Sequence, residues 1–134
     1  MTSLINEIKK HEGFRDRVYD DSLGIPTIGY GFAIKDLVLD QDIADQILQR
    51  KLDQLIVRIK KTFDWYNKLP LKAKKVVVNM CYQLGVGGFS KFRKTLSYLK
   101  RHEWEEASVE MLDSRWARQT PNRAVELSNI IKSL

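Results

Sequence analysis

The chain has 134 residues, of which 43% are hydrophobic and 30% are charged, and its formal net charge is +6. These values are typical of one globular domain that buries a core without metal or disulfide support. They exclude a membrane-spanning chain, because no apolar run approaches the roughly 18 residues that a transmembrane helix needs, and the single cysteine excludes an internal disulfide.

The first predicted element is a short helix over residues 3–11. Leu4, Ile5 and Ile8 share one face of it, and Gly13 is a helix-ending signal. The next segment, FRDRVYDDSLGIPTIGYGF, mixes β-branched and aromatic residues with glycine and proline, which predicts a small irregular hairpin. This hairpin is the only strand candidate in the chain.

Two long helices are predicted next. Asp40 is a predicted N-cap, and the apolar residues after it recur at three-and-four spacing, which predicts an amphipathic helix of about 20 residues. Pro70 suits the first turn of the following helix. That helix is apolar on most of its surface and ends at a glycine-rich stretch beginning at Gly85, so it is predicted to be the central buried helix.

Shorter helices are predicted around 91–101 and 103–113, and a last one after Thr120 and Pro121. The elements together predict a mainly α fold of the α+β type, with no repeat or long linker to divide the chain.

The predicted organisation is a single domain over residues 1–134. A small N-terminal lobe, about residues 13–60, carries the hairpin, and the long helix links it to a larger all-helical lobe. This C-terminal lobe is expected to comprise about residues 61–134 together with the helix over residues 3–11.

Positive charge is concentrated in the second half of the chain. Residues 1–64 have a net charge of −1, and residues 65–134 have a net charge of +7. Between Asp64 and Glu103 there is no acidic residue, so this half attracts polyanions such as nucleic acid, anionic lipid or bacterial cell wall. Charge alone does not choose among these partners, and a solvated helical surface explains it as well.

Three residues of the N-terminal segment are candidates for catalysis. Glu12 ends the first helix beside an apolar face, where a carboxyl group retains its proton more readily. Asp21 lies in a polar turn, where a carboxylate can accept a proton from water, and Asp16 and Asp20 are rivals for that role. Thr27 could hold the water with its hydroxyl group. Each also has an ordinary explanation as a helix-end, turn or strand residue.

A protonated acid and an ionised carboxylate together suit glycoside hydrolysis, in its retaining or inverting version. Metal chemistry has no support, because His11 and His102 are far apart and have no cysteine at metal-ligand spacing. Cys81 lies in an apolar run and is predicted to be a core residue. Trp104 and Trp116 are also predicted to pack in the core, with a saccharide platform as the alternative.

The run HEGFRDRVYDDSLGIPTIGYG resembles the catalytic segment of the phage lysozymes of glycoside hydrolase family 24. The runs NMCYQLG, FRKTLSYLKRHEWEEAS and SRWARQTPNRA are similar to the C-terminal lobe of the same family. The resemblance covers roughly residues 3–131. The chain is similar to the T-even type of these enzymes, but it is shorter between Phe32 and Asp40 and at its C-terminus.

The resemblance implies a lysozyme-like fold and gives roles to individual residues. It implies that Glu12 is the general acid, that Asp21 is the second carboxylate and that Thr27 positions the water. It also implies that Arg123 pairs with the catalytic glutamate. Five positions are implied to contact the substrate, and of these the first and the last depart in residue type from the T-even enzymes: Ala33, Tyr82, Gln83, Thr95 and Glu110.

The resemblance therefore predicts an endolysin-type muramidase that hydrolyses the β-1,4 bond between N-acetylmuramic acid and N-acetylglucosamine in peptidoglycan, without a cofactor or metal. We expect a monomer that binds glycan strands, does not bind nucleic acid and does not insert stably into a membrane. Because the N-terminus has no apolar secretory segment, we expect the protein to stay in the host cytoplasm until a holin releases it to the wall, where it lyses the host.

Two other functions remain open at this stage. A peptidoglycan-binding module without activity would keep the fold and the basic surface. A basic helical protein that acts on nucleic acid or membranes would use the positive charge of the second half.

Overall fold

The computed structural model describes residues 2–134, and within them the protein is mainly helical, as the sequence predicts. Helix α1 (Thr2–Glu12) precedes an antiparallel sheet of three strands, β1 (Arg15–Asp20), β2 (Pro26–Gly29) and β3 (Phe32–Ala33), in that order across the sheet. The other helices are α2 (Gln41–Thr62), α3 (Leu71–Ser90), α4 (Arg93–Lys100), α5 (Trp104–Leu112), α6 (Arg115–Gln119) and α7 (Pro121–Lys132).

Helix α1 ends where the sequence predicts. Gly13 follows Glu12 with a φ of +70°, and its N–H donates a hydrogen bond to the carbonyl of Lys9 at 2.9 Å. Glycine adopts this left-handed conformation without the steric cost that a side chain imposes, so it closes the helix. Glu12 is thereby fixed as the last helical residue.

The sheet is larger than the predicted hairpin. β1 and β2 pair as expected, but the sequence analysis missed β3, which pairs with β2 so that Ala33 lies opposite Thr27. A strand of two residues is too short to produce a recognisable alternation in the sequence. It forms because Gly29 and Gly31, with φ values of +70° and +75°, reverse the chain after β2.

The two predicted long helices are confirmed. α2 begins directly after Asp40 and spans 22 residues. α3 begins after Pro70 and is interrupted at Gly85, where φ is 75° and ψ is 159°. The predicted end of this helix is therefore a break, beyond which a short helical stretch continues to Ser90.

The C-terminal helices α4, α5 and α7 lie within the predicted segments, and α7 has Pro121 in its first turn. Helix α6 was not predicted as a separate element. It is too short for its periodicity to be recognised, and it is started by Ser114, whose hydroxyl oxygen accepts a hydrogen bond from the N–H of Ala117 at 3.1 Å.

The chain divides into two compact units, of which the first ends at Ala44 and the second comprises Asp45–Leu134. Among residues 2–134, the buried apolar side chains all belong to the second unit, and α3 supplies seven of them, which confirms it as the central helix. The predicted single domain, the lobe boundary near residue 60 and the assignment of the first helix to the C-terminal lobe stay predictions.

In the part of the chain that the structure describes, no helix combines the length and the apolar character that crossing a membrane requires.

Candidate active site

Glu12 lies against the turn between β2 and β3. A Cβ atom built on Gly31 would come within 2.5 Å of Glu12 Oε2 and within 3.1 Å of its carboxyl carbon. The carboxyl group therefore occupies space that is available only because residue 31 has no side chain. The residue is exposed rather than enclosed by apolar groups. In the sequence, the run GYG indicates a turn, but it does not indicate that Glu12 lies beside that turn.

Tyr30 packs the same turn against residues at the end of α1. Its ring lies 5.4 Å from the ring of Phe14 and 6.3 Å from that of Phe32, measured between centroids. The Lys9 ammonium lies 5.5 Å from the Tyr30 ring centroid, within the range of a cation–π contact. These contacts hold Gly31 beside the carboxyl group of Glu12.

Asp21 is fixed by the turn between β1 and β2. Its Oδ1 accepts hydrogen bonds from the N–H of Leu23 at 2.8 Å and from the N–H of Ile25 at 2.9 Å. The turn is closed by a further bond from the N–H of Gly24 to the Asp21 carbonyl at 2.9 Å. This is the Asx turn that the sequence allowed as an ordinary role. It also holds the carboxylate in one place, and Oδ2 takes no part in these two bonds.

Thr27 is joined to Asp21 through a single residue, Ile25. The Ile25 N–H donates to Asp21 Oδ1, and the Ile25 carbonyl accepts a hydrogen bond of 2.8 Å from Thr27 Oγ1. Thr27 lies in the middle strand and is buried. Since its hydroxyl donates to a carbonyl, its lone pairs are available to accept a bond from water. Sequence reasoning missed the role of Ile25, because backbone atoms act here and they leave no signal in the residue type.

The rival acids Asp16 and Asp20 lie on β1 and are exposed. Neither side chain takes part in a hydrogen bond or ion pair in the part of the chain that the structure describes. Among the three aspartates, Asp21 is the one whose carboxylate is held by the backbone.

Ala33, a predicted substrate contact, is the cross-strand neighbour of Thr27. Directly paired residues of an antiparallel sheet have Cβ atoms about 5 Å apart on the same face. The small Ala33 side chain therefore lies next to the threonine on the same face of the sheet.

Two predicted contact residues of the second unit, Thr95 and Glu110, line one pocket of about 460 Å³. Thr95 is buried and Glu110 is half-buried. Apolar residues and polar or charged ones share the remaining wall: Leu84, Phe92, Trp116, Lys91, Arg93, Lys94, Asp113, Ser114, Arg115 and Gln119.

The other two predicted contacts lie apart from that pair. Tyr82 lines a different groove and is 48% exposed. The side chain of Gln83 accepts a hydrogen bond from the indole N–H of Trp116 at 2.8 Å. This bond satisfies the buried indole, so one acceptor site of Gln83 already serves the packing of the second unit.

Arg123 is held by Asn79 in the second unit. Its Nε and Nη2 donate to Asn79 Oδ1 at 2.9 and 2.6 Å, and Nη2 also donates to the Asn79 carbonyl at 3.2 Å. The sequence reasoning did not identify Asn79, whose position 44 residues away gives no local signal. The implied pairing of Arg123 with Glu12 stays a prediction.

The predicted core residues Cys81 and Trp116 are buried, which confirms that interpretation, while Trp104 is half-buried and stacks on His102 at 4.7 Å. Burial raises the pKa of the Cys81 thiol to about 12. A thiol of this kind stays protonated at neutral pH and is a poor nucleophile. Among residues 2–134, no three His, Cys, Asp or Glu side chains are grouped so that they could hold a metal ion.

Comparison with known proteins shows which family the sequence matches. The sequence profile of the family described as "Phage lysozyme" matches residues 9–129. "Probable T4-type lysozyme 2" and "Probable T4-type lysozyme 1" of Dictyostelium discoideum are each 24% identical to this chain, over 99% of it and 95% of their own length. The "Pre-baseplate central spike protein Gp5" of Enterobacteria phage T4 is 29% identical over 96% of this chain, which spans only 27% of that larger protein.

Proposed function

The chain belongs to the phage lysozyme family and is a lysozyme, a hydrolase of the muramidase type; we propose that it cleaves the β-1,4 bond between N-acetylmuramic acid and N-acetylglucosamine in peptidoglycan, with Glu12 and Asp21 as its catalytic carboxyl groups. The observation that carries this proposal is the connection of Asp21 to Thr27 through the backbone of Ile25. A base that activates water must be held in a defined place relative to the group that orients the water.

In the proposed reaction, Glu12 donates its proton to the glycosidic oxygen as the bond to the anomeric carbon breaks. A water molecule held by Thr27 and Asp21 attacks that carbon and gives its proton to Asp21. The water oxygen becomes the new hydroxyl group of one sugar, and the proton from Glu12 stays on the other. The proton on Asp21 returns to Glu12 through solvent, which restores both groups.

The position of Glu12 supports its role as the acid. It is the last residue of a helix that Gly13 closes, and its carboxyl group occupies space that a side chain at residue 31 would fill. Gly13 and Gly31 both have positive φ, which a residue with a side chain rarely adopts. Together they fix the position of the carboxyl group and leave it exposed to a ligand.

The proposed substrate contacts are Ala33 beside Thr27 and the pocket that holds Thr95 and Glu110. The pocket volume lies within the range of sites that bind small ligands. Its mixture of apolar and charged lining residues suits a ligand that combines sugar rings with charged substituents. Tyr82 and Gln83 are proposed as further substrate contacts, and Arg123 is proposed as a supporting residue.

The biological role that we propose is lysis of a bacterial host by a phage endolysin. The protein is proposed to act as a monomer that needs neither nucleic acid nor a stably inserted membrane segment, and to remain in the host cytoplasm until a holin opens the way to the wall. A chain with one buried cysteine and no disulfide suits a reducing compartment. Cell fractionation before and after membrane disruption tests the location, and light scattering tests the oligomeric state.

The test of the catalytic proposal uses purified sacculi. Wild-type protein is expected to release reducing ends, and mass spectrometry of the products is expected to identify hydrolysed muramic acid termini rather than anhydro-sugars or released peptides. Glu12→Gln is expected to lower the rate of release by about 10³-fold, within the range for removal of a general acid. Glu7→Gln, a change of an exposed glutamate in the same helix, is the matched control and should keep wild-type activity.

Retention of the unfolding midpoint by Glu12→Gln would separate loss of chemistry from loss of fold. Wild-type rates in the Glu12→Gln variant would overturn the assignment of the acid. Binding of the wild-type protein to sacculi without any product would instead identify a peptidoglycan-binding module, and a steep loss of DNA affinity with salt would favour the nucleic-acid alternative.

A further inference from the structure

A groove between α2 and α3 in the second unit is distinct from the pocket that contains Thr95. Its volume is about 460 Å³. Helix α2 and helix α3 each contribute one side of the lining: Lys51, Gln54, Leu55 and Arg58 from α2, and Cys81, Tyr82 and Gly85 from α3. Apart from Tyr82, these residues have no part in the function proposed above.

The α2 side presents two cations on one helix face. Lys51 and Arg58 are seven residues apart, with Gln54 and Leu55 between them, which places all four side chains on the same face. At 1.5 Å of rise per residue, the two cationic residues are about 10 Å apart along the helix axis. Leu55 is half-buried and gives the groove an apolar base between them.

The charge of the groove is not neutralised within the second unit. No acidic residue lines it. Within Asp45–Leu134 the structure contains one ion pair, between Arg101 and Glu103, so Lys51 and Arg58 have no carboxylate partner in that unit. Two such cations favour an anionic ligand, and the guanidinium of Arg58 can bind a carboxylate or phosphate through two parallel hydrogen bonds.

The α3 side supplies an aromatic surface and free space. Tyr82 is 48% exposed although its neighbour Cys81 is buried. A Cβ atom on Gly85 would meet no other atom within 4 Å, so the groove is open at this residue. An aromatic ring with a hydroxyl group suits a ligand that has apolar faces and polar edges, as a sugar ring has.

We propose that this groove binds a sugar that carries a negative charge, with Lys51 and Arg58 on its carboxylate or phosphate group and Tyr82 against its ring. The inference rests on the proposed function, because N-acetylmuramic acid has a lactyl carboxyl group that is charged wherever no peptide is attached.

The test is a two-dimensional NMR titration with three probes: N-acetylmuramic acid, N-acetylglucosamine 1-phosphate and neutral N-acetylglucosamine. At least one acidic sugar is expected to shift the signals of Tyr82 and Gly85 and to bind about tenfold more tightly than the neutral sugar, which corresponds to about 1.4 kcal/mol. The acidic sugar that shows the preference identifies the anion that the groove takes.

Two double variants distinguish binding in the groove from the general electrostatic attraction of a positively charged protein. Lys51→Gln combined with Arg58→Gln is expected to remove the preference for the acidic sugar. Lys60→Gln combined with Lys61→Gln removes two exposed charges from the same helix outside the groove and should keep it. Thermal unfolding of both double variants checks that they fold.

Equal affinity for all three sugars, or an equal loss of preference in both double variants, would overturn the proposal. Reducing-end release from sacculi is measured on the same wild-type sample. If the protein releases reducing ends but shows no preference for an acidic sugar, only the proposal for the groove is wrong. If it shows the preference but releases no reducing ends, only the proposed catalytic function is wrong.

Discussion

The two units of the molecule are stabilised in different ways. In the first unit, among residues 2–44, Thr27 is the one buried side chain, and its local geometry depends on backbone hydrogen bonds and on glycines with positive φ. The second unit contains every buried apolar side chain of the part that the structure describes, including Phe89 and Met80, which are fully buried. The candidate catalytic carboxyl groups belong to the first unit, so the proposed chemistry takes place where buried apolar packing contributes least.

This difference predicts which property each substitution affects. A change in the apolar core should lower the free energy of unfolding and leave the chemistry of the folded molecules intact. A change that displaces a candidate carboxyl group of the first unit should cost activity out of proportion to its cost in stability. The predictions below test this separation, beginning with the largest expected effect.

Phe89→Ala should produce the largest loss of stability. Phe89 is fully buried, packs edge-on against Phe63 with a centroid distance of 5.8 Å, and stacks near Phe92 at 6.2 Å. Removing a buried phenylalanine leaves a cavity and lowers the free energy of unfolding by about 3–5 kcal/mol. Urea denaturation measures this loss, and activity per folded molecule at low temperature should stay near that of the wild type. A selective loss of activity in folded protein would contradict the separation.

Gly31→Ala should show the opposite behaviour. Its Cβ atom would collide with the carboxyl group of Glu12, which can move aside cheaply because it is the end of a flexible side chain. We expect a loss of about 1–2 kcal/mol from the positive φ and a loss of about 10²-fold in activity from the displaced acid.

Gly24→Ala is the matched control for this variant. Gly24 has a φ of +77°, and an added Cβ atom would meet nothing within 4 Å. The two variants should therefore lose similar stability, measured by urea denaturation, but only Gly31→Ala should lose most of its activity on sacculi. Equal activity losses in the two variants would mean that Gly31 does not position Glu12.

Cys81 should make the second unit sensitive to alkaline pH. Burial raises the pKa of its thiol from 9.0 to about 12, so the folded state keeps a proton that the unfolded chain loses. The stabilisation is fully present below about pH 9 and is lost as the pH rises towards about 12. Between about pH 8 and pH 10, this thiol should lower the free energy of unfolding by about 1.4 kcal/mol.

The measurement is urea denaturation of the wild type and of Cys81→Ala across this pH range. The variant lacks the thiol and should show a smaller decline, although burial also raises the pKa of Tyr66, which remains in both proteins. Parallel declines in the two proteins would contradict the assignment of the effect to Cys81.

The sequence predicted those features that depend on local patterns. Three-and-four spacing predicted α2 and α3, and the left-handed glycine after Glu12 predicted the end of α1. The order of Glu12, Asp21 and Thr27 along the chain suited glycoside hydrolysis but left Asp16 and Asp20 as rivals, and the resemblance of this segment to that of the phage lysozymes selected Asp21. All of these signals lie in the type and spacing of neighbouring residues.

The features that the sequence did not predict depend on backbone atoms or on distant partners. β3 has two residues and forms only because the turn before it brings Ala33 opposite Thr27. The bridge through Ile25 uses its N–H and carbonyl groups, which every residue type except proline also has. The bond between Arg123 and Asn79 joins residues 44 positions apart. No single-sequence pattern carries such information.

The central claim is that Asp21 and Thr27 act as one unit that activates water. The most direct test is a double-mutant cycle in kcat/KM on sacculi, with Asp21→Asn, Thr27→Val and the combined variant. Asparagine keeps an oxygen that can accept the turn's hydrogen bonds, and valine keeps the shape of threonine, so the fold should persist. If the two residues form a unit, the combined variant should be about as slow as the slower single variant. Losses that multiply in full, as for independent residues, would contradict the account.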